Sequence, residues 1–210
     1  FDDKVIFENF NFKLEKGDKL AIIGHNGVGK STQIEILASK FNDVIVTKEP
    51  GGTQLGVNLR EILLSSSIKI GKRTEILLFL ADRAEHFEKL IAPNLSRLIL
   101  SDRGFVSGMA YALAGGNFSF EELLSLNKFA LQGNFPQKIV FFKADESTLR
   151  SRLNSRAQMD GIEARGFAYL LRVQDAMEEI LQKLDVCYVT IGAAMDEEKI
   201  TNLIKEFIND

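Results

Sequence analysis

Gly24 to Ser31 is the stretch whose residue types and spacing could do chemistry, because it fits the pattern G-x-x-x-x-G-K-[ST] in full. A short apolar run precedes it and a helical pattern follows it. Glycines let the backbone curl so that successive N–H groups face one phosphate group, and a helix N-terminus adds positive potential there. Lys30 can then reach the outer phosphates, and the Ser31 hydroxyl can ligate a magnesium ion. We therefore predict a nucleoside triphosphate site rather than a chance glycine turn before a helix. The predicted binding residues are Gly24, His25, Asn26, Gly27, Val28, Gly29, Lys30, Ser31 and Thr32.

Asp102 and Arg103 follow directly after an apolar run at residues 97–101, which is typical of a buried strand. A carboxylate at the end of such a strand is the expected acidic partner of a phosphate-bound magnesium ion. The planar guanidinium of Arg103 suits recognition of a phosphate. The alternatives are a helix N-cap for Asp102 and a surface salt bridge for Arg103.

Phe79 and Arg83 lie four residues apart in a predicted helix and therefore share a face. An aromatic ring one turn from a guanidinium could stack on a planar base while the cation reaches the carbonyl edge of that base. Periodicity alone favours a core position for Phe79. For His86, on the same helix, we prefer a solvated face over catalysis. Ser107 and Tyr111, one turn apart after Arg103, are candidate polar contacts to a nucleotide.

Arg150, Arg152 and Arg156 cluster in a helix-to-loop region that is rich in Ser, Asn and Gln. Such a region suits a mobile lid that brings positive charge onto the transferring phosphates. The alternative, a solvated basic helix face, is equally consistent with the pattern.

Five predicted strands, at residues 19–23, 43–47, 97–101, 137–142 and 186–191, alternate with predicted helices. Helices are predicted at 31–40, after 54, at 73–91, 106–114, 120–132, 146–156 and 163–184, and after a candidate N-cap, Asp196. This alternation predicts an α/β fold of the P-loop NTPase type, with a five-stranded parallel sheet and helices on both faces. Ligands of such sheets bind outside the carboxyl ends of the strands, where the residues above converge. Period-2 alternation around Phe10 to Leu14 adds an N-terminal β-hairpin.

Composition restricts the class of protein. A chain of 210 residues, 45% hydrophobic and 26% charged, fits one globular domain over residues 1–210, with a hairpin segment at 1–18 and a lid at about 150–165. A net charge of −3 argues against a nucleic-acid partner. We expect no membrane span, because no apolar run approaches about 18 residues. A lone cysteine, Cys187, excludes an intramolecular disulfide and suits a cytoplasmic protein.

From Ser31 onward the chain resembles bacterial thymidylate kinase. The matching motifs are KSTQ at 30–33, KEPGGT at 48–53, LLFLADRAEH at 77–86, SDR at 101–103, S-x-x-x-Y at 107–111 and DGIE at 160–163. The resemblance implies a nucleoside monophosphate kinase that transfers the γ-phosphoryl group of ATP to dTMP with Mg²⁺. It also implies a homodimer, formed through the helices near Leu59 and Leu80.

The same resemblance implies the roles of individual residues. Phe79 would stack on thymine, Arg83 would bond its carbonyl edge, and Tyr111 would pack near the sugar. The Glu49–Pro50 peptide bond would be cis. The implied dTMP-binding residues are Lys48, Glu49, Pro50, Phe79, Arg83, Arg103, Ser107 and Tyr111. The implied catalytic residues are Lys30, Arg103, Arg152 and Arg156, and the implied metal ligands are Ser31 and Asp102.

Residues 1–32 instead resemble the N-terminal strand pair and phosphate loop of an ABC-type ATPase, in which an aromatic residue near Phe1 would stack on adenine. We therefore predict a composite chain, joined near residues 30–33.

Ile23 and Asn26 replace two acidic residues of the kinase loop, Lys48 replaces an arginine, and Gly161 stands where the lid usually has arginine. Gly108 lacks a side chain that often contacts the base. These departures predict impaired activity. The alternatives are a nucleotide-binding hybrid with little transfer activity and an ABC-like ATPase module, which the missing LSGGQ-like signature disfavours.

Overall fold

A sheet of five parallel strands forms the centre of the molecule, as the sequence predicts. The structure is a computed structural model that describes residues 17–65, 67–116, 118–154 and 161–209. The strands are β1 (Lys19–Gly24), β2 (Val44–Lys48), β3 (Leu98–Asp102), β4 (Lys138–Lys143) and β5 (Cys187–Gly192). Their order across the sheet is β2-β3-β1-β4-β5, which places β1 at the point where the order reverses.

Eight α-helices connect and cover the strands in the described part of the chain. They are α1 (Lys30–Ala38), α2 (Gln54–Leu64), α3 (Lys72–His86), α4 (Phe105–Ala114), α5 (Phe120–Ala130), α6 (Glu146–Asn154), α7 (Phe167–Lys183) and α8 (Glu197–Asn209). Asp196 precedes α8 and accepts the backbone N–H of Glu198 at 2.9 Å, so the predicted N-cap is confirmed. None of the described helices is both long and apolar enough to cross a membrane.

The two faces of the sheet each pack against their own hydrophobic core, as expected for a sheet with helices on both sides. Strand β1 shows this best, because all of its side chains are buried. Leu20 and Ile22 belong to the core that includes residues of α1 and α8, whereas Ala21 and Ile23 belong to the core that includes residues of α4 and α7. Packing on both faces of the sheet therefore fixes the position of β1, and with it the start of the phosphate loop.

Two predicted helices are shorter than the sequence indicates. The helix predicted over 73–91 ends at His86 and continues as a π-helical turn (Phe87–Ile91) and a 3₁₀ turn (Ala92–Asn94), because Pro93 has no N–H with which to extend the regular ladder. The helix predicted over 163–184 is split at Gly166. Its φ of +92° is left-handed, so a 3₁₀ turn (Glu163–Arg165) is separated from α7.

The carboxyl ends of the strands meet at one edge, where the predicted site residues converge. Asp102 is in register with Ile22 of β1 on one side and with Lys48 of β2 on the other. Three sequence predictions fall wholly or partly outside the described residues: the role of Phe1, the N-terminal hairpin segment up to residue 16, and residues 155–160 of the lid.

Candidate active site

The loop between β1 and α1 needs glycine at specific points. Gly24 has a φ of +138°, and a Cβ atom at this position would lie 2.7 Å from the carbonyl oxygen of Phe142 on β4. Gly29, directly before α1, has a φ of +92°. Both backbone conformations are strained for any residue with a side chain. The glycine pattern is therefore a requirement of this loop, which delivers the N-terminus of α1 to the edge of the sheet.

Lys30 brings a buried positive charge to the loop. Its side chain is 5% exposed, and Nζ donates to the backbone oxygen of His25 at 2.7 Å. The same nitrogen lies 3.9 Å from Asp102 Oδ1. The ammonium group thus lies between the loop and the end of β3, where it can meet the phosphates of a bound nucleotide.

Ser31 and Asp102 form a pair that fits a magnesium ion. The Ser31 hydroxyl donates to Asp102 Oδ2 at 3.1 Å, and Asp102 Oδ1 is buried without a hydrogen-bond partner. Asp102 is not a helix N-cap, since α4 begins after Gly104, which settles the alternative raised by the sequence. The described residues contain no cluster of three His, Cys, Asp or Glu side chains that could hold a metal. A nucleotide-bound magnesium ion does not need one, because it takes one or two protein ligands and keeps phosphate and water oxygens.

Arg103 connects the phosphate loop to α4. Its backbone has a left-handed φ of +72°, and its N–H donates to the Ile22 oxygen at 2.8 Å. From the side chain, Nη2 donates to Asn26 Oδ1 at 2.7 Å and Nη1 donates to the Tyr111 hydroxyl at 3.2 Å. The partners are neutral side chains of the site rather than the carboxylate of a surface salt bridge. The guanidinium is held at both ends.

A buried cluster forms under the turn that follows β2. Arg83 Nε donates to Glu49 Oε2 at 2.8 Å, and Arg83 Nη1 donates to Asn127 Oδ1 at 2.7 Å. His86 is 1% exposed, with Nδ1 3.0 Å from Glu49 Oε1 and Nε2 2.7 Å from Thr47 Oγ1. The solvated face predicted for His86 is therefore wrong, because one polar partner on β2 and one in the following turn allow this ring to be buried. The Glu49–Pro50 peptide bond is cis, as the resemblance implies.

Two carboxyl groups of this cluster have opposite pKa shifts. Burial alone would raise the pKa of Glu49, but the charge of Arg83 and the hydrogen bond with His86 outweigh burial and lower it to about 2. Burial raises the pKa of Asp82 to about 6, even though its Oδ1 accepts the N–H of Gly51 at 2.9 Å. Glu49 is therefore the permanent anion that balances Arg83.

A cleft is lined by Phe79, Gly108 and Tyr111, together with other residues of α3 and α4 and with Gly115, Phe118 and Arg165. Phe79 is 8% exposed and also lines the cleft. The ring is therefore part of the core, as periodicity predicts, and still faces the cleft. Arg83 Nη2 lies beside Gly108, where an added Cβ atom would come within 3.1 Å of it. Ser107 is buried and its Oγ has no hydrogen-bond partner. This geometry suits a flat apolar ring with polar groups at its edge.

Three predicted arginines give a mixed result. Arg150 donates to Glu146 at 2.9 Å and is 60% exposed, in keeping with a solvated basic face. Arg152 lies in α6, and Arg156 lies outside the described residues. Arg165, at the end of the predicted lid, donates to Glu75 of α3 at 2.6 Å. Lys48 is exposed at the end of β2, and the oxygen of Pro50 accepts a hydrogen bond from Arg60 at 3.0 Å.

His25 of the loop is a buried neutral imidazole. It is 4% exposed, and burial together with the charges of Arg103 and Lys30 lowers its pKa to about 4. The ring therefore adds no positive charge to the loop near neutral pH.

Three residues of the site were not assigned from sequence. Asn127 holds Arg83, Asp82 holds the turn at Gly51, and Glu163 accepts a hydrogen bond from Asn26 Nδ2 at 2.9 Å. A signal existed for each: Asn127 is a polar residue on the inward stripe of a helix, Asp82 adjoins Arg83, and Glu163 ends the DGIE motif.

Comparison with known proteins gives a consistent result. The family model described as thymidylate kinase matches residues 22–204, a range that includes the phosphate loop. Thymidylate kinase of Campylobacter concisus is 65% identical over 187 residues, which cover 89% of this chain and 96% of that protein. The enzyme of Campylobacter curvus is 57% identical, with 88% and 96% covered. The crystal structure of thymidylate kinase from Ehrlichia chaffeensis superimposes with a TM-score of 0.73 at 24% identity, covering 92% of this chain and 98% of that one, which supports the same fold.

Proposed function

The chain belongs to the thymidylate kinase family, and we infer from this membership and from the site that it transfers the γ-phosphoryl group of ATP to dTMP, giving ADP and dTDP. Phosphoryl transfer of this kind requires two phosphates to be held in line and their charge to be neutralised. An oxygen of the dTMP phosphate forms the new bond to phosphorus while the ADP oxygen leaves. The attacking oxygen of the dTMP phosphate is already anionic, so no strong base is required.

The observation that carries this proposal is the position of Arg103. One end of its guanidinium contacts Asn26 of the phosphate loop, and the other contacts Tyr111 of the cleft. A single cation thus lies between the predicted triphosphate site and the predicted acceptor site. This is where the phosphate of dTMP must lie to receive the γ-phosphoryl group.

The remaining roles follow from the cleft and the buried cluster. Phe79 stacks on thymine, and Arg83 reaches the carbonyl edge of the base from beside Gly108. Glu49 and Asn127 hold that guanidinium, and Pro50 shapes the turn above it. Ser107 contributes a buried hydroxyl on the same helix as Tyr111, and Lys48 lies at the exposed rim.

ATP binds along the loop, from Gly24 to Thr32, with Lys30 at the outer phosphates. Ser31 and Asp102 would hold magnesium, which neutralises phosphate charge when it is bound. Arg152 and Arg156 of the lid supply further positive charge, and closure of the lid excludes water and so suppresses hydrolysis of ATP.

The test is a coupled assay of ADP release with ATP and dTMP together and with ATP alone. The proposal expects rapid release only when dTMP is present. Arg103→Met should lower kcat/KM for dTMP by about 10³-fold, whereas Arg97→Met, at an exposed ion pair with Asp43, should leave it unchanged. ADP release that does not depend on dTMP would contradict the kinase proposal. Binding of ATP without any transfer would establish the nucleotide-binding hybrid instead.

We also propose a homodimer through α2 and α3, which pack against each other. Leu55 and Val57 of α2 and Leu77 of α3 are exposed by 46%, 41% and 61% of their surface. Exposed apolar side chains on adjacent helices are typical of an interface. Leu77→Lys should convert a dimer into a monomer in sedimentation experiments. Phe129→Lys, at an exposed site on α5, should not.

The composite origin of residues 1–32 and the cytoplasmic setting stay predictions. The family match begins at residue 22, upstream of the predicted junction at 30–33. Sequencing the source genome tests the composite origin, since one contiguous native gene of this form would contradict an engineered join.

A further inference from the structure

Asn26 lies between one partner that only donates and one that only accepts. Arg103 Nη2 donates to Asn26 Oδ1 at 2.7 Å, and Asn26 Nδ2 donates to Glu163 Oε1 at 2.9 Å. A guanidinium has no acceptor, and a carboxylate has no donor. Only one orientation of the Asn26 amide satisfies both neighbours. Glu163 therefore determines which way the amide points, and so keeps its oxygen on Arg103.

Glu163 has a position that does not depend on Asn26. Its side chain is 5% exposed, and it begins the short 3₁₀ turn at the end of the predicted lid, before α7. On one side of it the N–H of Gly161 donates to the Leu64 oxygen of α2 at 3.0 Å. On the other side Arg165 forms an ion pair with Glu75 of α3 at 2.6 Å. The carboxylate of Glu163 is thus presented to the loop by a segment anchored on two helices.

We propose that Glu163 is a positioning residue, which acts through Asn26 to hold Arg103 in place for the acceptor phosphate. This proposal rests on the proposed function, in which Arg103 binds dTMP. Positions 26 and 163 form a matched pair of one amide and one carboxylate. The hydrogen bond between them needs one amide and one carboxylate, but either group could stand at either position. An aspartate at position 26 should therefore fit when position 163 carries glutamine.

This arrangement reverses what the sequence indicates about Asn26. From the family pattern, an aspartate at position 26 should strengthen the site. In this structure an aspartate there would face the carboxylate of Glu163 at hydrogen-bond distance, where two like charges repel. Asn26 is therefore the residue that suits this chain, and its substitution by aspartate should harm the site.

The experiment compares four proteins: the parent, Asn26→Asp, Glu163→Gln and the double variant. Asn26→Asp should raise KM for dTMP by about 10-fold, with a smaller effect on kcat, because it disturbs a ground-state contact to the acceptor phosphate. Glu163→Gln alone should change KM by about threefold or less, since its amide oxygen can still accept from Asn26. In the double variant, the glutamine introduced at position 163 can donate to the aspartate introduced at position 26. KM should then return to within about threefold of the parent value.

Urea unfolding of the same four proteins gives a measurement that does not depend on turnover. The unfolding midpoint should fall for Asn26→Asp and recover in the double variant. Equal effects of Asn26→Asp in both backgrounds, on KM and on the midpoint, would overturn the pairing. Recovery of the midpoint without recovery of KM would show a merely structural pair and would overturn the positioning role.

A further variant, Glu163→Asp, keeps the charge but shortens the side chain by one methylene. It should raise KM for dTMP while the protein stays folded, and an unchanged KM would contradict the proposal even if Asn26→Asp failed to fold. If the parent itself showed no dTMP-dependent turnover, the proposed function would fail, and the positioning role would fail with it. The unfolding experiment would then still decide separately whether positions 26 and 163 are paired.

Discussion

Arg83 and Glu49 form an ion pair, 2.8 Å from Nε to Oε2, in which the arginine is 3% and the glutamate 7% exposed. A buried pair of this kind contributes little beyond what an apolar pair would, but loss of one partner leaves an uncompensated charge in the core. Its place below the turn that follows β2 couples that turn to α3. The pair therefore bears on both stability and the shape of the acceptor cleft.

Arg83→Met should strongly destabilise the protein. It leaves Glu49 buried with only His86 as a side-chain partner among the hydrogen bonds described above, and we expect a loss of about 3–5 kcal/mol in the free energy of unfolding. Arg97→Met removes an exposed ion pair with Asp43 and should cost about 1 kcal/mol or less. Urea unfolding of the two variants measures the difference. Equal losses would show that burial of the Glu49 pair has no energetic consequence.

Asp82→Asn should change how stability depends on pH. Burial raises the pKa of Asp82 to about 6, above its ordinary value of 3.8, so the folded protein binds a proton that the unfolded chain has released between these values. The contribution of Asp82 is therefore favourable at low pH and is lost as pH rises from about 4 to 6.

Urea unfolding at pH 4.5 and 7.5 measures this effect. Asparagine can still accept the N–H of Gly51, so the variant should gain stability relative to the parent at the higher pH, on the order of 2 kcal/mol. Arg97→Met, far from the cluster, should show no such change in relative stability. A difference between Asp82→Asn and the parent that is the same at both pH values would contradict the raised pKa.

Ser31→Ala should lower kcat by about 10²-fold, because it removes both a predicted magnesium ligand and the hydrogen bond to Asp102. It should also raise the concentration of Mg²⁺ needed for half-maximal activity. Ser39→Ala is the matched control, since this exposed hydroxyl donates to the Ile36 oxygen at the other end of α1. An unchanged Mg²⁺ requirement in Ser31→Ala would remove Ser31 from the metal site.

Sequence predicted the frame of the site because its signals are local. The glycine spacing, the apolar run before Asp102 and the alternation of strands and helices each depend on a few neighbouring residues, and each has its counterpart in the structure. His86 was misjudged because burial of a polar ring depends on partners supplied by β2 and the following turn, 39 and 37 positions away in the sequence. Its periodicity could not reveal them.

The pairing of Asn26 with Glu163 was missed for the same reason. The two residues are 137 positions apart, and the short turn that presents Glu163 is separated from α7 by the left-handed backbone of Gly166. In sequence, Asn26 is only a departure from a family pattern. Its fit to Arg103 and Glu163 is visible only once three separate segments are brought together.

Gly161→Ala should destabilise the protein, and this tests whether the end of the lid packs against the end of α2. A Cβ atom at this position would lie 2.9 Å from the Ser65 oxygen and 3.2 Å from the Leu64 oxygen, and backbone atoms cannot move aside as a flexible side chain can. We expect a loss of about 1–3 kcal/mol in the free energy of unfolding. An arginine at this position, which the family pattern favours, meets the same obstacle at its Cβ.

Gly71→Ala is the matched control. Its φ is −70° and the nearest atom to an added Cβ is 4.0 Å away, so unfolding should change by about 0.5 kcal/mol or less. If both alanine variants unfolded at the parent's urea midpoint, the contact between Gly161 and the end of α2 would not exist in solution, and the missing lid arginine would need another explanation.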